Sequence, residues 1–165
     1  GFDSLSVEGR PRIAAFHWCG APDSLAAEDT TCFSADAEGL IFLPAPIDAS
    51  STPMLHVYAD LDTASTTGSY PLKARVRGAE HLPDILRFMR TLGSLNVSVA
   101  SIAIRGDEVD IFVAPGTRIT YVMGHEKEAE KSAKAALPKL NLKDGSVIYV
   151  DLRFDGKVYL KRVGE

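Results

Sequence analysis

Val147-Ile-Tyr-Val-Asp-Leu-Arg-Phe154, then Asp155-Gly156, then Lys157-Val-Tyr-Leu-Lys-Arg-Val163, reads as strand, turn, strand. Strand-forming residues dominate both arms, and Asp-Gly is a strong hairpin signal. The chain stops two residues after Val163. A hairpin that closes a domain leaves its final strand at or near a sheet edge, where unpaired backbone groups can pair with another chain. The hairpin carries a conflict of faces. A two-residue turn pairs Phe154 with Lys157 and Leu152 with Tyr159, which sets Val158 and Leu160 beside Asp151 and Arg153. One more residue in the turn puts Val150, Leu152, Phe154, Val158 and Leu160 on one face. We therefore expect that extra residue, with a bulge near Gly156.

The rest of the chain fits around this hairpin. Met54–Leu61 alternates, with Leu55, Val57, Ala59 and Leu61 on one face and His56, Tyr58 and Asp60 on the other. Arg12–Cys19 and Leu40–Leu43 read as earlier strands, with Asp36-Ala-Glu-Gly39 as a turn before the second. His81–Leu92 spaces Leu82, Ile85, Leu86, Met89 and Leu92 as one helical face, with Pro83 in its first turn and Gly93 at its exit. Strands follow at Val97–Ile104, Val109–Val113 and Arg118–Val122, separated by Arg105-Gly-Asp107 and Pro115-Gly116. A second helix runs from His125 to about Leu137. Its narrow inner face is Ala129, Ala133, Ala136 and Leu137. Asp62–Ser69, rich in Thr, Ser and Gly, reads as a loop. The expected fold class is α+β: an antiparallel-dominated sheet packed with two main helices and closed by the C-terminal hairpin. Residues 1–165 are expected to form a single domain.

Composition narrows the function. Net charge is −4, and no Lys/Arg run exceeds two residues, which disfavours nucleic-acid binding. No apolar run approaches the roughly 20 residues of a spanning helix. The chain opens on Gly1 rather than Met and reads as an excised or processed piece. Cys19 and Cys32 stand at the two feet of one polar loop, between strand-like flanks. That placement suits a disulfide, worth roughly 3 kcal/mol for a loop of about 15 residues. Its expected setting is an oxidising compartment, the periplasm or cell exterior.

Chemistry-bearing motifs are scarce. His17, His56, His81 and His125 include no pair at zincin spacing, and His17 and His56 read as structural. No Gly-x-Gly-x-x-Gly, P-loop, Gly-x-Ser-x-Gly or Ser-x-x-Lys pattern occurs. Asn96-Val-Ser98 is a sequon, meaningful only in a eukaryotic secretory route. No catalytic residue, metal or cofactor is expected.

Several segments together resemble one family, the bacterial cell-division proteins FtsQ/DivIB, in their extracytoplasmic β-domain. Leu5-x-Val7, Arg10-Pro11 and Ala14-x-Phe16-x-Trp18 resemble its opening strand and Pro-x-Ala-x-Trp phrase. Phe33-x-x-Asp36-x-Glu38-Gly39-x-Ile41-Phe42 resembles its Asp, Gly, Val/Ile-Phe turn. Leu82–Leu92 with Val97–Ile104 is similar to its helix and following strand, and Pro115-Gly116-Thr-Arg-Ile119 with Gly124 to its Gly-flanked strand. Asp151-Leu-Arg153-Phe154 with Gly156-x-Val158-Tyr159 resembles its C-terminal hairpin and is the most specific piece. The chain departs from the pattern in Phe16-His-Trp-Cys19, in its cysteine pair and in the acidic loop Pro22–Thr30.

The resemblance implies a non-enzymatic scaffold of the division machinery. Its full-length form would be anchored by one membrane helix, with a POTRA domain upstream, at the division site. Its partners would be FtsB/DivIC-like and FtsL-like membrane coiled-coil proteins. The implied partner strand is Val158, Tyr159, Leu160, Lys161, Arg162 and Val163. Lys157, Lys161 and Arg162 would discourage self-pairing there and favour an acidic partner. Two other readings compete: a glycan- or peptide-binding module using Phe16, Trp18 and Tyr58, and a cell-wall-acting enzyme accessory domain with two converging carboxylates.

Overall fold

The computed structural model describes residues 4, 6–27, 31–46, 53–62 and 70–165. Leu5, residues 28–30 of the acidic loop and residues 63–69 lie outside them. Nine strands join in one sheet: β1 (Phe16–Trp18), β2 (Phe33–Ala35), β3 (Ile41–Pro44), β4 (His56–Ala59), β5 (Val99–Arg105), β6 (Glu108–Val113), β7 (Thr117–Val122), β8 (Val147–Phe154) and β9 (Lys157–Arg162). Their order across the sheet is β3-β2-β1-β4-β5-β6-β7-β8-β9. Five of the eight pairings are antiparallel; β1–β4, β4–β5 and β7–β8 are parallel. The class is α+β with a mixed, mostly antiparallel sheet. Two of the parallel joints arise where helix-containing connections return the chain in the same direction, α1 (Leu82–Ser94) between β4 and β5 and α2 (Glu126–Ala136) between β7 and β8; the third, β1–β4, forms after the chain has run through β2 and β3.

Both helices serve one core. Leu82, Ile85, Phe88, Met89 and Leu92 of α1 are buried with Ala129 and Ala133 of α2 against Val57, Ile102, Ile104, Ile111, Ile119, Val150 and Leu152 of the sheet. Phe88 extends the expected α1 face and meets the Tyr121 ring edge-on at 5.2 Å, while Leu86 is only half-buried. The alanines of α2 leave no bulk between helix and sheet, so the helix lies close. Phe16 and Trp18 point into this same core, and the Trp18 indole Nε1 donates to the Ala59 carbonyl at 2.8 Å.

Several expected boundaries move. Arg12–Cys19 shortens to Phe16–Trp18, and Val97–Ile104 becomes Val99–Arg105. Val7 lies outside any strand and is strongly exposed. The turn at Asp36–Gly39 forms as expected. The Asp36 Oδ1 accepts from the amides of Glu38 (3.0 Å) and Leu40 (2.9 Å), Arg12 pairs with Oδ2, and Gly39 takes the left-handed φ of +80°.

The closing hairpin forms, but its extra residue enters elsewhere. Phe154 pairs with Lys157 across Asp155-Gly156, whereas Asp151 pairs with Tyr159 and Val150 with Leu160. One irregularity therefore falls between Asp151 and Phe154, and a second between Val147 and Tyr149, both inside β8 rather than beside Gly156. The apolar pairing of Val150 with Leu160 is kept, as the pattern required. Phe154 is not on that face. It is exposed and stacks edge-on with Tyr159 at 5.3 Å.

Candidate functional site

β9 is the last strand of the sheet, and among the described residues no strand lies beyond it. Its two sets of backbone groups can be assigned. The Val163 amide donates to the Ser146 carbonyl at 2.9 Å, so position 163 faces β8. Alternation then turns Tyr159 and Lys161 inward and Val158, Leu160 and Arg162 outward. The Arg162 amide is taken by the chain itself, donating to the Glu165 Oε2 at 3.2 Å. Val158 and Leu160 remain to present donors to the open edge.

The side chains of β9 divide the same way. Tyr159 stands on the helix-free face with Phe154, half exposed. Val158 and Leu160 turn toward α2. There they border a groove of about 450 Å³ whose opposite wall is Lys131, Ala135, Ala136 and Leu140. Val163 is 66% exposed, and Lys157, Lys161 and Arg162 are exposed beside it. The six residues expected to form a partner strand thus lie on one continuous, basic, partly apolar edge.

β8 supplies a rigid backing. Its Arg153 sits between the Asp151 carboxylate (2.7 Å) and the Glu108 carboxylate (2.6 Å) and lies over the Phe154 ring. Asp151 is buried. Burial alone would raise its pKa. The Arg153 side-chain and backbone hydrogen bonds outweigh burial and hold the carboxyl below its usual range. The paired carboxylates hold the Arg153 guanidinium in its charged form. One row along the helix-free face runs Asp110, Thr120, Asp151, Tyr159 on β6 to β9. Its two buried carboxylates are each occupied: Asp110 by Thr120 Oγ1 (2.5 Å) and Arg105 (3.4 Å), Asp151 by Arg153. The aromatic trio of the glycan- or peptide-binding reading is likewise spent on the fold, since Phe16, Trp18 and Tyr58 are all buried.

At the other end of the same face, Cys19 and Cys32 are joined in a disulfide with Cα atoms 4.2 Å apart, one position beyond the Trp18–Phe33 pair. The loop they close begins with a turn of 3-10 helix, Pro22–Ala26. The disulfide packs with Leu25, Tyr58, Ala103 and Phe112 in a small apolar cluster of its own. Two histidines flank it. His17 and His56 are register partners on β1 and β4, with ring centroids 6.0 Å apart. Burial, and secondarily His56, lowers the His17 pKa. In the sequence these histidines read as separate structural residues, because the parallel β1–β4 joint that brings them together leaves no trace in local spacing.

Among the described residues, no helix is long and apolar enough to cross a membrane. No protein-family model matches the chain, and comparison with curated proteins finds no match to its sequence.

Proposed function

We propose that this chain is a non-enzymatic extracytoplasmic scaffold that binds its partner by strand addition at β9. The disulfide supports the compartment, since such bonds persist where the surroundings are oxidising. The observation that carries the reading is the β9 edge itself. Its outward amides at Val158 and Leu160 offer main-chain pairing, and Lys157, Lys161 and Arg162 favour an acidic partner segment. With the FtsQ/DivIB resemblance of the hairpin, the partners are FtsB/DivIC-like and FtsL-like membrane coiled-coil proteins, met at the division site.

The test separates the amide from the side chain. Leu160→Pro removes an outward donor, and proline is tolerated on an edge strand. It should leave the fold intact and weaken binding of the coiled-coil pair by about tenfold or more, whereas Leu160→Ala keeps the donor and should lose less. Tyr159→Pro removes an inward donor and should destabilise the hairpin itself. Unchanged affinity in a folded Leu160→Pro variant places the interface elsewhere.

A further inference from the structure

The Sγ atoms of Cys19 and Cys32 and a ring nitrogen of His56 lie within 4.8 Å of one another. His17 stands beside His56 on the same face. Two cysteines and two histidines are a standard tetrahedral set for zinc. We propose that reduction of the Cys19–Cys32 disulfide converts this corner of the sheet into a zinc site, with His56 as third ligand and His17 as fourth, and that oxidation expels the metal.

The chemistry balances. A dithiol reductant gives up two electrons and two protons and closes its own disulfide; the Cys19–Cys32 bond breaks, leaving two thiols. Zn²⁺ then displaces both thiol protons and forms two metal–sulfur bonds, so two thiolates neutralise its charge. In reverse, a disulfide-exchange oxidant takes two electrons from the thiolates, the S–S bond re-forms and Zn²⁺ leaves.

Three features of the site favour the metal over two free thiols. Bond lengths of about 2.3 Å to sulfur and about 2.0 Å to nitrogen separate tetrahedral ligand atoms by roughly 3.3–3.8 Å. The His56 nitrogen lies within 4.8 Å of both sulfurs, so a small closing movement of the ring and a parting of the sulfurs complete the set. Cys19 is buried against Tyr58 and Ala103, a dry wall that strengthens thiolate–metal attraction. His56 is exposed and gives the ion a path in.

The experiment uses the whole chain, reduced with a phosphine that does not compete for metal, and Co²⁺ as a spectroscopic stand-in for Zn²⁺. One Co²⁺ per chain should bind. It should give a thiolate-to-cobalt charge-transfer band with the intense visible bands of tetrahedral cobalt, and one equivalent of Zn²⁺ should erase both. The oxidised chain should give neither. Cys19→Ser should abolish the charge-transfer spectrum. His56→Ala, at an exposed position, should keep the fold by circular dichroism and lower the affinity by about tenfold or more. A reduced chain without these bands overturns the proposal, whether or not it stays folded before metal is added. Equal affinity in His56→Ala overturns it too, because cysteines alone would then account for binding. Neither outcome bears on partner binding at β9.

Discussion

The two edges of the sheet are finished in opposite ways. At β3 the chain folds back on itself. The Ile41 amide donates to the Ala74 carbonyl (2.9 Å), the Lys73 amide to the Ile41 carbonyl (2.8 Å) and the Val76 amide to the Gly39 carbonyl (2.9 Å). Leu40 bridges to Arg75, and the strand ends on Pro44, which has no amide to offer. At β9 the described chain supplies only Glu165, capping Arg162, and leaves Val158 and Leu160 facing outward. Edges left open invite unwanted pairing, and natural proteins blunt them with charge. β9 carries that charge without the covering segment that β3 has. An edge protected from copies of itself but not sealed is suited to a chosen partner.

Three perturbations test that contrast. The largest effect is expected at the self-sealed end. Replacing both Cys19 and Cys32 by alanine should lower unfolding free energy by about 3 kcal/mol in urea titration. Partner affinity at β9 should not change. A matching loss of binding would mean that the two ends are not independent.

A smaller effect is expected from the backing of the open edge. Arg153→Met leaves the buried Asp151 carboxylate without its cation and should cost roughly 1–3 kcal/mol at neutral pH. The pH dependence should shift with it. A carboxyl with a depressed folded-state pKa stabilises the fold above its unfolded value of about 3.9 and loses that contribution as pH falls through the folded value. Wild-type stability should therefore drop below about pH 4. Arg153→Met should show a weaker drop in the same window, measured by thermal unfolding across pH. Identical profiles would show that Arg153 does not hold Asp151 ionised.

The smallest effect concerns charge on the edge. Lys161→Glu should weaken binding of an acidic partner by about 1 kcal/mol or less, and the loss should shrink as salt rises. Stronger binding would mean that the partner segment is not acidic.

Much of the fold was legible because it is written in local periodicity. The apolar spacing of Leu82, Ile85, Met89 and Leu92 and the two alternating arms around Asp155-Gly156 need only near neighbours to be read. The parallel joints are different. His17 meets His56, and Arg118 meets Tyr149, only after long connections, so no local window contains the pairing. The bulge in β8 was visible as a demand, since Val150 and Leu160 had to share a face. Its position was not. It is tied to Asp151, whose Oδ1 accepts both the Arg153 amide and side chain at 3.0 Å, and that clamp depends on Glu108 from a distant strand. At the candidate site, the two cysteines were legible from one loop, whereas the histidines beside them were not.

The β1–β4 joint also sets how the molecule comes apart. β1, β2 and β3 meet the other six strands through one short parallel contact, His17 with His56 and Trp18 with Val57, braced by the Trp18 indole on Ala59 and, at the outer edge, by the hydrogen bonds of β3 to residues 73–76. The remaining strands, by contrast, include the hairpins β5–β6 and β8–β9, which close over two-residue gaps, although Phe16, Trp18, Ala35 and Ile41 sit in the same helix-packed core. Cooperative units in proteins follow such boundaries, so amide exchange would fall into two tiers, with the first three strands opening ahead of the other six. A transient loss of the N-terminal third would then leave β8 and β9 in register, and a partner paired to β9 would stay bound to a protein that is locally unfolded at its far end.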